Sequence, residues 1–488
     1  MKRNLKIANA MCFMILLIIF GCGGGSSGTA NTVTSSNADA QVVQVYMTLA
    51  DQSKLLARQP DLVFGSNQSF PLTINIHDTI YYQQMDGFGA SMTDSSAWVI
   101  SHLLNATQKD ALMQSLFDPI NGIGVSWLRQ PMGASDFSLF NYSYDDVSPG
   151  QTDPPLNNFS IAYDLSYRIP LVQQALLINP SLKITALPWS PPAWMKYTGT
   201  MNGGQVNFAY GASLAQYFVK YIQAYQSQGI PIYAVSSQNE PLNSNSHYPT
   251  ALWSAAEEAN FIGTYLGPAL AGAGLSTKII AFEHNWDLLA YPLELLGTDI
   301  VSNSYTSGTG WHCYGGDPSS QTRVHNAYPD KGIWFTECSG GSFSPNFANN
   351  LKYGIGTLMI GSIRNWAKAV ALWNLALDQN SGPINGGCST CRGVVTIDSS
   401  VTPAAIIYNV EYYILGHVAK FIIPGAYRID SNTFGSTSIE NVAFKNPDGS
   451  IVLLVLNSDS SANTFSVSWH GSNFSYTLPA GAVATFKW

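Results

Sequence analysis

Two glutamates stand where a strand-like apolar run meets a loop: Glu240 in Ala-Val-Ser-Ser-Gln-Asn-Glu-Pro and Glu337 in Ile-Trp-Phe-Thr-Glu-Cys-Ser-Gly-Gly. A carboxylate directly after a buried run has to be paired or used, and few Lys or Arg lie close by in the sequence. Taken singly, such a Glu more often caps a helix or lies on the surface. Facing one another across one site, two of them can break a glycosidic bond, one protonating the leaving oxygen while the other attacks the anomeric carbon or activates water. At a separation of about 5 Å the route runs through a covalent glycosyl-enzyme with net retention. The negative charge of Glu337 is then expected to keep Glu240 protonated until the nucleophile is consumed.

Other chemistries find less support. No His and carboxylate cluster at metal-ligand spacing is visible, so neither a metal nor a cofactor is expected. Cys388-Ser-Thr-Cys391 could be half a zinc site, a pair of free thiols or a loop-stapling disulfide, and with no second ligand pair the disulfide is favoured. With 22 Lys and Arg against 30 Asp and Glu, a net charge of −8, there is no basic face for a nucleic acid. A chain 12% aromatic and only 11% charged, with 12 Trp and 25 Tyr, suits a neutral ligand such as a sugar, whose apolar faces stack on rings.

The chain opens with Lys2, Arg3 and Lys6 ahead of an apolar run from Met11 to Phe20, too short to span a bilayer and typical of an export signal. The run ends in Ile19-Phe20-Gly21-Cys22, which looks like a bacterial lipobox with Cys22 as the lipidated residue, although Phe20 replaces the usual small residue and ordinary signal cleavage is the alternative. The expectation is an exported lipoprotein of the cell envelope, periplasmic or on the outer surface, or a secreted protein, touching membrane only through that anchor. A Gly-, Ser-, Thr- and Asn-rich stretch then reads as a tether.

The elements that must position Glu240 and Glu337 are short β-rich runs alternating with helical spacing: Asp86–Met92, Val125–Pro131, Lys183–Pro188, Ile232–Gln238, Lys278–Glu283, Gly310–Tyr314, Gly332–Thr336 and Ala369–Asn374. Eight such units predict an α/β fold, a (β/α)₈ TIM barrel whose working groups lie at the strand C-termini. Helices are expected over Ser213–Gln228, over Ala255–Ala273 behind a Ser254 cap, and finally over Pro403–Gly416. Beyond it, Asn441–Lys445, Ile451–Leu456, Thr464–Trp469 and Val483–Trp488 alternate like antiparallel strands, and Gln41–Tyr82, with its strand-like run Leu72–Ile76, can complete that sandwich. The expected organisation is a signal over 1–22, a linker over 23–41, N-terminal sandwich strands over 42–84, the catalytic barrel over 85–416 and a C-terminal β-sandwich over 417–488.

Six ordered motifs now carry a specific resemblance: Asp86-Gly-Phe-Gly-Ala-Ser-Met-Thr-Asp94, Leu128-Arg-Gln-Pro-Met-Gly-Ala-Ser-Asp-Phe137, Pro188-Trp-Ser-Pro-Pro-Ala-Trp-Met-Lys196, Gln238-Asn-Glu-Pro241, Phe335-Thr-Glu337 and Leu372-Trp-Asn-Leu-Ala-Leu-Asp378. Over most of its mature length the chain resembles glycoside hydrolase family 30, the glucosylceramidases and related β-glycosidases. The resemblance implies a barrel with a side β-sandwich made from both chain ends, Glu240 as acid/base and Glu337 as nucleophile. It further implies that Asn239 bonds the hydroxyl beside the reacting carbon, that Asp94 grips outer sugar hydroxyls, and that Trp189 and Trp373 line the same subsite. His312 and Tyr314 fall where the family supports its nucleophile, and Arg129 is expected beneath the site as a carboxylate's partner, since an arginine inside a barrel strand must be paired. His284 is a weaker candidate for substrate contact. Cys313 and Cys338, on adjacent strands, are hypothesised to be bonded.

The expected activity is that of a retaining, glucosylceramidase-like β-glucosidase acting on a carbohydrate or glycolipid. The loop Leu242-Asn-Ser-Asn-Ser-His-Tyr-Pro and the Cys388–Cys391 loop depart from the animal glucosylceramidase pattern and look nearer to bacterial and fungal members. They leave an endo-β-1,6-glucanase, or a β-xylosidase or β-fucosidase, as the alternative. A surface carbohydrate-binding lipoprotein without catalysis is the reading outside enzymology, and the presence of both glutamates disfavours it.

Overall fold

A computed structural model describes residues 41–66, 69–434 and 438–488. The signal, Cys22 and most of the tether lie outside them. No helix among the described residues is long and apolar enough to cross a membrane.

Eight parallel strands close into a barrel: Gly87–Ser91, Trp127–Pro131, Lys183–Leu187, Ala234–Ser236, Lys278–Asn285, Thr306–His312, Gly332–Glu337 and Ala367–Asn374. These are the eight runs read from sequence, joined in order, the last pairing back onto the first. The strands are apolar because both faces are buried, one against the helices outside and the other inside the barrel, where Trp127, Ile280, Trp334 and Ala371 form a separate small core.

The helix between the third and fourth strands runs over Gly211–Ser227. Ser254 caps the next in a reciprocal bond with Glu257, but that helix is not uniform: a π-turn over Ile262–Leu266 precedes Gly267-Pro268. Pro268 has no N–H to give to a continuous ladder. The last helix starts at Val410 rather than Pro403, because Ala405–Tyr408 forms a strand antiparallel to Val395–Asp398. Its run Ala-Ile-Ile-Tyr is better suited to that pairing than to a helix.

Chain segments on either side of the barrel build a nine-stranded sheet that doubles over on itself. The long strand Thr73–Gln84 pairs with Tyr427–Ser431 along one part and with Asn463–Trp469 at its start, bringing two layers face to face. Val45, Leu453 and Phe486 of one layer pack with Phe465 and Phe474 of the other. The hairpin partner Ser472–Leu478 was not singled out in the sequence. Its alternation is of Ser, Asn and Thr against Phe, Tyr and Leu, too polar to read as a strand alone.

Candidate active site

Glu240, His312 and Glu337 meet at the C-terminal mouth of the barrel, where each offers an atom within 4.8 Å of the others. Glu337 ends the seventh strand. Glu240 stands further out, because the fourth strand stops at Ser236 and residues 237–240 turn across the mouth. Asn239 N–H donates to Pro188 O at 2.9 Å and Glu240 N–H to Glu283 O at 3.0 Å. Glu240 has φ 44°, a left-handed conformation that a residue with a Cβ holds only when its surroundings fix it, as they do at functional sites.

His312 enters the proton balance of this cluster. His312 is fully buried, with Nδ1 3.2 Å from Glu240 Oε1 and Nε2 3.4 Å from Glu283 Oε2. Burial alone would lower its proton affinity, but the charge of Glu337 and the bonds to Glu240 and Glu283 outweigh it and lift the imidazole to about 9. Burial would also raise Glu240; the hydrogen bond and charge of His312 draw it down to about 2 instead. Both shifts point toward a Glu240 carboxylate paired with His312 in the resting site, rather than toward a Glu240 acid kept protonated by Glu337. The three ligand atoms stand at metal spacing, an arrangement the fold creates and the sequence does not show.

Arg129, inside the second strand, donates to Glu337 Oε2 at 2.7 Å, to Asn239 Oδ1 at 2.6 Å and to Glu283 Oε2 at 3.3 Å. Its guanidinium lies over the rings of Trp189 and Trp373, 4.9 and 5.4 Å from their centroids. The bond to Asn239 fixes that amide with its oxygen inward and leaves its NH₂ as the group available to a sugar hydroxyl. Tyr314 lies just past the sixth strand with its ring half exposed and its hydroxyl sunk against Glu337 Oε1 at 2.9 Å. Burial and the Glu337 charge push the phenol well above its usual range, so it stays a donor.

Glu283 is the buried carboxylate that sequence reasoning passed over. Phe282 and Glu283 have φ 78° and 49°, and the fifth strand shifts register there, turning Glu283 into the barrel. It accepts from Ser236 and Thr336 hydroxyls at 2.7 and 2.6 Å. Gly310 leaves the room, since a Cβ there would lie 2.5 Å from the carboxyl carbon. Burial would raise this group, and His312 and Arg129 bring it down to about 2. The only sequence sign was a Glu inside a strand. His284 next to it is buried, and its lowered value of about 4, set first by burial, keeps it neutral.

A cavity of about 390 Å³ opens above the pair. Trp189 and Trp373 stack in it with centroids 4.9 Å apart, and Asn239, Glu240, Tyr314 and Glu337 line it. Asp94 does not. Its carboxylate is consumed outside the cavity by Tyr167 OH at 2.5 Å, Tyr163 OH at 3.3 Å and Leu139 N–H at 3.0 Å, with Arg168 at 3.6 Å. The acid that does face the cavity is Asp136, whose Oδ1 is buried without a hydrogen-bond partner and whose other oxygen has room because residue 387 is glycine. Burial first, then the charges of Glu337 and Glu240, raise it well above the usual carboxylate range. Asp136 stands in the motif Leu128–Phe137, so the sequence carried it, but not as the aspartate expected to meet the sugar. Cys388 and Cys391 are joined by a disulfide on the cavity wall, and Cys313 is joined to Cys338 beside Tyr314 and Glu337.

The sequence matches the Glycosyl hydrolase family 30 TIM-barrel domain over residues 85–422 and the Glycosyl hydrolase family 30 beta sandwich domain over 425–486. It is similar to the endo-1,6-beta-D-glucanase of Neurospora crassa, 38% identical over 410 residues covering 80% of this chain and 82% of the relative. It is also similar to the lysosomal acid glucosylceramidase of Mus musculus, 31% identical over 431 residues covering 83% and 81%. Among solved structures, an endo-β1,6-glucanase superposes with a TM-score of 0.84 at 34% identity, covering 91% of this chain and 99% of that one.

Proposed function

The chain belongs to glycosyl hydrolase family 30, and from that premise we propose that this glycoside hydrolase is a retaining endo-β-1,6-glucanase with Glu337 as nucleophile and Glu240 as acid/base. The observation that carries the mechanism is the approach of the two carboxylates to within 4.8 Å, close to the roughly 5–5.5 Å of retaining pairs and short of the roughly 6.5–9.5 Å that leaves room for a water. Glu337 attacks the anomeric carbon, the bond to the leaving oxygen breaks, and Glu240 passes that oxygen a proton drawn across the hydrogen bond from His312. Water then attacks the glucosyl ester, its proton returns through Glu240 to His312, and Glu337 is released. Arg129 and Tyr314 hold the Glu337 oxygens, and Asn239 and Asp136 address the sugar hydroxyls.

The substrate follows the relatives: identity is 38% to an endo-1,6-β-glucanase against 31% to a glucosylceramidase. That reverses the order read from sequence, where the glucosylceramidase-like activity came first. Export on a lipidated Cys22 is part of the same proposal and rests on the N-terminal sequence, as polymeric glucan lies outside the cell. The test is hydrolysis of linear β-1,6-glucan followed by NMR: oligosaccharides should appear first, as β-anomers. Early α-anomer refutes retention, and inert glucan with rapid glucosylceramide turnover refutes the substrate.

A further inference from the structure

Beside the catalytic cavity lies a second one of about 450 Å³, and Tyr314, Ser339 and Phe343 line both. We propose that this second cavity binds the leaving-group side of a β-glucan chain, the sugars beyond the cleaved bond; the assignment rests on the glucanase reading above.

Asp136, Trp189 and Trp373 hold the reacting sugar on the side of the second, third and eighth strands, and Phe137, Trp189 and Trp373 fill that side as buried rings packed together. A longer chain has to leave over the opposite rim, where the sixth and seventh strands carry Tyr314 and Ser339, and there the second cavity begins.

The lining of the second cavity also suits a sugar. Phe343 and Tyr353 keep 61% and 43% of their surface in water, flat apolar faces of the kind a sugar ring covers. Asn349 and Ser344 add amide and hydroxyl groups at the rim. The one charged side chain in the lining, Glu411, is neutralised by Arg392 through bonds of 2.8–3.0 Å. A neutral polyhydroxylated chain fits such a lining better than an anion or an alkyl tail.

Tyr353 and Asn349 lie outside the catalytic cavity, so they separate the two sites. With wild-type enzyme cleaving β-1,6-glucan, Tyr353→Ala should lower kcat/KM on the glucan and on a β-1,6-linked glucotetraose about tenfold, hold an aryl β-glucoside within about twofold, and be rescued by Tyr353→Phe. Asn349→Ala is the second variant should Tyr353→Ala not fold. Equal losses on polymer and aryl glucoside, or no loss on polymer, overturn the assignment. A loss confined to glucosylceramide overturns it in favour of an alkyl chain. A wild-type enzyme active on the aryl glucoside but inert on the glucan fails earlier, at the glucanase reading, and takes this assignment with it.

Discussion

His312 Nδ1 stands 3.2 Å from Glu240 Oε1 and 3.9 Å from Glu337 Oε1, so one imidazole lies beside both carboxylates of the proposed catalytic pair. Glu240, His312 and Glu337 form one electrostatic unit, and on the proposed mechanism pH profiles should report that unit rather than a lone glutamic acid.

The unit needs its proton for the first step. His312 binds it up to about 9, above its ordinary value, so kcat/KM should be flat at neutral pH and fall as pH rises through about 9. In His312→Asn the cation that holds Glu240 near 2 is gone, and burial then dominates that carboxyl. The basic limb should move to lower pH and kcat should drop about 100-fold. A variant with its limb still near 9 would remove His312 from the proton path.

Glu337→Gln should abolish turnover on every substrate, since it removes the proposed nucleophile. Glu240→Ala should slow substrates with poor leaving groups far more than activated aryl glycosides, and azide should rescue it as a glycosyl azide. The same loss on both kinds of substrate would contradict an acid/base role.

Asp136 and Asp94 offer a cleaner division between binding and folding. Asp136 faces the cavity with a free oxygen, whereas Asp94 is locked to Tyr167, Tyr163 and Leu139. Asp136→Asn should cost about 100-fold in kcat/KM with an unchanged melting temperature. Asp94→Asn should lower stability by about 1–3 kcal/mol, because it disturbs a buried network. Reversed outcomes would return the substrate contact to Asp94.

What the sequence revealed, and what it hid, follows from range. The eight barrel strands are runs buried on both faces, so local composition marks them; Glu240, Glu337, Arg129 and the two tryptophans stand in ordered motifs. Glu283 was hidden because its direction depends on a bulge at Phe282, which composition does not announce. The proton on His312 depends on groups from four strands or their loops, and the strand Ala405–Tyr408 on a partner ten residues back. The two aspartates lie in equally good motifs, and only the hydrogen bonds of the folded chain show which is spent.

The joint between barrel and sandwich should contribute to the acid sensitivity of the fold. His417, in the helix Val410–Ala419, is fully buried, with Nδ1 2.9 Å from Thr485 Oγ1 and Nε2 2.8 Å from Thr48 Oγ1. Thr485 already donates its hydroxyl to His417 O, so it accepts from Nδ1–H, and Thr48 donates to Nε2. That pattern fits a neutral ring, and burial pushes its pKa from 6.5 down to about 3. The unfolded chain therefore takes up a proton that the fold refuses, and stability should be complete above about 6.5 and decline as pH falls toward about 3. The decline has a limiting slope of about 1.4 kcal/mol per pH unit for one proton. Urea midpoints measured at several pH values should fall less steeply for His417→Gln, which cannot be protonated, than for wild type. Parallel slopes would show that the acid sensitivity lies in other groups.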